Sequence, residues 1–87
     1  MKNKPEPRES YSVLLAHFLR ELCDRTNTPQ ADLANELGRP VDFIDRIAEG
    51  TENLQFVEFI EIAKLVGLDP VEAVKEFRER MPNGELP

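Results

Sequence analysis

The chain has 87 residues, 40% of them hydrophobic and 32% charged, and a formal net charge of −6. That length holds one small domain with a single modest core, burying about 60–65% of the unfolded chain's surface, and no second domain is expected within it. Seventeen acidic residues against eleven basic ones put a condition on any nucleic-acid partner: phosphate contacts supply much of such affinity, so the cations must gather on one face.

Residues 1–9 are polar, carry Pro5 and Pro7 and offer nothing to pack, which predicts a disordered arm. Its Lys2, Lys4 and Arg8 are suited to brushing a DNA backbone, diluted by Glu6 and Glu9. Ser10 or Ser12 is placed to cap a first helix reaching about Asn27, whose Tyr11, Leu14, Leu15, Phe18, Leu19 and Leu22 recur at three- and four-residue steps as one apolar face. Arg20, Glu21, Asp24 and Arg25 fall on the opposite side. Thr28 followed by Pro29 is a helix-start signal, with Thr28 as the cap and Pro29 in the first turn. Ala31, Leu33, Ala34 and Leu37 give this second helix an apolar face, and Gly38 is the stop. From Pro40 the spacing of Phe43, Ile44, Ile47 and Ala48 is helical again, ended by Gly50. Two short helices around a tight glycine turn make a helix-turn-helix.

Thr51 to Asn53 then turn into a helix over 54–66 that is apolar on most sides, through Leu54, Phe56, Val57, Phe59, Ile60, Ile62, Ala63, Leu65 and Val66. This predicts a central helix packed between the first helix and the helix-turn-helix. Gly67 ends it, and Asp69, Pro70 and Glu72 sit at the cap, first and third positions of a fifth helix to about Arg80. The tail, 82–87, is expected to fray. The domain is thus 10–81, all-α, built of five helices with short connections.

Chemistry-bearing residues are sparse. His17 and Cys23 lie six residues apart on one helix and do not converge on a site, and no second histidine exists to complete a zinc set or a triad. Without a glycine-rich phosphate loop either, no enzymatic activity, metal or cofactor is expected. One cysteine forms no internal disulfide; no apolar run approaches the ~20 residues of a membrane span, and MKNKPEPRES lacks a signal peptide's apolar stretch. A cytoplasmic location is expected.

The residues Thr28 and Gln30, Leu33-Ala34, Leu37-Gly38, Ile44, Ile47 and Gly50, flanked by Phe18 to Leu22 and by Phe59 to Pro70, resemble the lambda-repressor-like (XRE-type) helix-turn-helix domain over roughly Tyr11 to Phe77. The resemblance implies a sequence-specific DNA-binding transcriptional regulator, acting as a dimer, whose second short helix enters the major groove while flanking residues grip phosphates. It places Val41, Asp42, Asp45 and Arg46 on the reading helix, Gln30 at the start of the helix before it, and Thr51 to Asn53 in the loop after it. Arg39 lies near enough to reach a phosphate. Val41 suits a thymine methyl and Asp42 the amino group of cytosine.

The same surface is acidic where the family's is polar or basic. Thr28 to Asn53 carries six acids and two bases, and Asp45, Glu49 and Glu52 bring negative charge toward a polyanion. Two further expectations follow. An apolar stripe of Val74, Phe77 and Met81 on the fifth helix suggests a two-fold dimer contact, with packing on the first helix as the competing use. The competing function is a protein-interaction or dimerisation module that keeps the helix-turn-helix fold and has lost DNA binding.

Overall fold

A computed structural model of the chain describes residues 7–81. Five helices and no strand are present among the described residues: α1 (Pro7–Arg25), α2 (Gln30–Leu37), α3 (Phe43–Glu49), α4 (Phe56–Leu65) and α5 (Pro70–Arg80). The all-helical architecture expected from the sequence is therefore observed. Residues 1–6 of the expected arm and the expected tail, 82–87, lie outside the described residues.

Helix α1 starts at Pro7, inside the stretch expected to be an arm, so Ser12 lies within the helix and does not cap it. Proline suits a first helical turn because the amide it lacks has no partner there. The helix ends where Asn27 takes a left-handed φ of 56° and the Thr28 amide donates to the Cys23 carbonyl at 2.8 Å, closing off exposed carbonyls. Thr28 does not cap α2. Its hydroxyl bonds that of Thr26 at 2.8 Å, and Pro29, extended at the cap position without a side-chain cap, receives the Asp32 and Leu33 amides on its carbonyl at 3.0 and 3.1 Å.

Both short helices end alike. Gly38 (φ 68°) and Gly50 (φ 83°) are left-handed, and the following amides of Arg39 and Thr51 reach back to the Ala34 and Arg46 carbonyls at 2.9 and 3.0 Å. No atom crowds either glycine, so the backbone angle alone requires glycine there. Helix α3 begins at Phe43, later than Pro40, because Pro40 to Asp42 form a turn whose Pro40 carbonyl accepts from the Phe43 amide at 3.0 Å. Helix α5 starts as expected, with the Asp69 carboxylate accepting from the Glu72 amide at 3.2 Å.

The core has two adjoining parts. Ala16, Leu19 and Cys23 of α1 pack with Leu33, Ala34, Phe43, Ile44, Ile47 and Ile62. Phe18 and Leu22, on a neighbouring strip of α1, pack with Phe59, Ala63, Val66 and Ala73. Helix α1 packs most extensively on α3 and reaches both parts, and α4 joins them as well, through Ile62 in the first and Phe59 and Ala63 in the second. Helix α4 is shorter and leaves Phe56 70% exposed, with Val57 and Leu65 also outside. Ion pairs of Arg25 with Glu76 and of Arg80 with Glu21 clamp α5 on α1, and the Arg80 guanidinium lies 5.0 Å from the Phe18 ring centre. No described helix is long and apolar enough to cross a membrane.

Candidate nucleic-acid interface

The seven residues of α3 divide by face. Phe43, Ile44 and Ile47 are buried, while Asp45, Arg46 and Glu49 are exposed, as are Val41 and Asp42 in the preceding turn. Three core side chains within five positions hold so short a helix, because isolated helices of this length are not stable in water. What remains outward is the set of candidate reading residues. Gln30, half-buried, opens α2, and Thr51 and Asn53 are exposed in the following loop.

The charges on this face are mostly matched. Arg46 Nε meets Asp42 Oδ1 at 3.1 Å, one helical turn away. Asp45 is engaged by Arg20 from α1. Twenty-five positions separate those two residues, so helical periodicity in the sequence puts Arg20 on the water-facing side of α1 with nothing to reveal its partner. Two ion pairs thus offset Asp42 and Asp45 and leave Glu49 as the acid of this outward face that neither pair involves.

Arg39 is placed differently from the expectation. Its side chain is only 15% exposed, its Nε donates to Glu58 at 2.8 Å, its two Nη atoms donate to Glu52 Oε1 at 3.0 Å and to the Asn53 carbonyl at 2.8 Å, and a second contact reaches Glu58. The guanidinium also lies 5.8 Å from the Phe43 ring centre. Glu58 in turn accepts from the Gln55 amide at 3.1 Å, at the start of α4. The residue expected to reach a phosphate therefore ties the α2–α3 turn to the loop after α3 and to α4. The Glu58 carboxyl is held below the usual carboxylate range, chiefly by the hydrogen bond from Arg39, with partial burial acting in the opposite sense.

The remaining sequence candidates fall elsewhere. Phe77 packs inside the chain, its ring centre 5.5 Å from that of Phe18 and 6.4 Å from that of Phe59. Val74 is exposed and Met81 half-buried. His17 is exposed; Cys23 is buried in the core, and burial raises the pKa of its thiol. No cluster of three or more His, Cys, Asp or Glu side chains suited to a metal occurs among the described residues. Compared with known proteins, the chain matches no family model, no curated protein and no solved structure.

Proposed function

We propose that the chain is a lambda-repressor-like helix-turn-helix regulator that binds duplex DNA as a dimer in the cytoplasm, with α3 as the major-groove helix. The observation that carries this reading is the division of α3 into a fully buried face and an outward face bearing Asp45 and Arg46, presented beyond a left-handed glycine turn from α2. A reading helix needs that arrangement: rigid anchorage on one side and exposed side chains on the other. Gln30 and the Thr51 to Asn53 loop lie where the resemblance puts phosphate contacts. The paired charges of this face imply weak nonspecific binding, so two copies on two half-sites double the available contacts, with α5 offering Val74 and Met81 at the contact.

Titration of a duplex enriched from a random library tests this. The expected result is saturable binding whose log affinity falls linearly with log salt, at a slope near −0.9 for each phosphate neutralised. Absence of an enriched duplex at low salt overturns it. One observation favours the second reading, a protein-interaction module: Arg39 is consumed by Glu52, Asn53 and Glu58, which removes a cation from the DNA surface.

A further inference from the structure

We infer, on the basis of the DNA-binding reading above, that the Asp42–Arg46 ion pair reads one G·C base pair as a single unit. The pair joins Arg46 Nε to one Asp42 oxygen at 3.1 Å, with the side chains 46% and 47% exposed. Among the described residues no hydrogen bond engages the terminal guanidinium nitrogens of Arg46 or the second carboxylate oxygen of Asp42. Taken together they offer two donors followed by an acceptor.

Only one base pair complements that order. In the major groove a G·C pair presents the N7 and O6 acceptors of guanine and then the N4 amino donor of cytosine, whereas an A·T pair presents an acceptor, a donor, an acceptor and a methyl group. Guanidinium donors on N7 and O6 and the carboxylate on N4 therefore fit G·C, while on A·T the second donor meets the adenine amino group. A mismatched partner left unpaired in a desolvated groove is costly, which makes the pair discriminate more sharply than either residue alone. An exposed ion pair holds its partners weakly enough to be shared with a base. Arg20 contributes indirectly, because its contact with Asp45 occupies a second carboxylate of the face.

The test uses the full chain, a duplex selected from a random library, and competition titrations. The expected result is a G·C pair in each half-site at which any of the other three pairs weakens binding roughly 5- to 150-fold. Arg46→Ala and Asp42→Ala should each lose discrimination at that pair and keep it at the others. In the wild type, 7-deazaguanine at the same position, which lacks the N7 acceptor, should weaken binding by itself, and in Arg46→Ala it should have no effect. Since that probe changes only the DNA, it stands even if a variant folds poorly. An enriched site in which neither variant alters the preference for any G·C pair overturns this inference and leaves the DNA-binding reading in place. No enriched site at all overturns both.

Discussion

Removing the Arg39 guanidinium leaves Glu58 and Glu52, both partly buried, without the cation they share. Charged hydrogen bonds contribute about 1.5–3 kcal/mol each in favourable settings, and unpaired acids at the start of α4 add repulsion. Arg39→Ala should therefore cost about 1–3 kcal/mol of stability in urea unfolding. Arg46→Ala, which breaks an exposed pair, should cost less than about 0.5 kcal/mol. Equal small losses in both variants would contradict the structural role of Arg39. Acid adds a sign. A carboxyl with a lowered folded pKa contributes stability that is full above its unfolded value of about 4.3 and is lost as pH falls through the lower folded value. The gap in stability between wild type and Arg39→Ala should accordingly be widest above about pH 5 and close on acidification.

At the scale of elements, α3 is held by its buried face, so Ile47→Ala should cost about 2–5 kcal/mol, lowering the melting midpoint by several degrees or more; a shift of a degree or two would contradict the burial of Ile47. The α5 stripe divides between inside and outside. Phe77 belongs to the Phe18 and Phe59 cluster, so Phe77→Glu should unfold the domain, and Val74 is the informative position. If α5 carries the proposed dimer contact, sedimentation of Val74→Glu should give a folded monomer from a dimeric wild type. A wild type that is monomeric at high concentration removes that contact. Periodicity and turn chemistry made the existence and order of the helices legible: Leu33-Ala34 before Gly38, Ile44 and Ile47 before Gly50, Asp69-Pro70 before α5. It could not rank the helices as packing elements. Helix α4 reads as apolar on most sides, yet it leaves Phe56, Val57 and Leu65 exposed, and α1 and α4 both reach the two parts of the core, a property of three-dimensional contact.

For the molecule as a whole, the candidate site was legible only one residue at a time. Spacing located Asp42, Asp45 and Arg46 on one exposed face, whereas the Asp42–Arg46 ion pair is not read from the sequence, where both residues are assigned to base contacts. The partners of Arg39 come from 13 to 19 positions away and that of Asp45 from 25, beyond any local pattern, so the outward face of α3 is less acidic than its segment. This bears on how one charge change should act. Asp45→Asn removes an acid and frees Arg20 together, so binding to any duplex should strengthen and its salt slope should steepen by about one phosphate contact; an unchanged slope would contradict the Arg20–Asp45 pairing as the source of the weak nonspecific binding.

The most direct measurement is a map of backbone amide shifts in the isotope-labelled chain as the selected duplex is added at low salt. The proposal predicts perturbations gathered on Gln30, on Val41 to Arg46 and on the Thr51 to Asn53 loop, fading as salt is raised. Shifts absent at saturating duplex, or confined to α4 and α5 around the exposed Val57 and Val71, would contradict α3 as the DNA-reading helix.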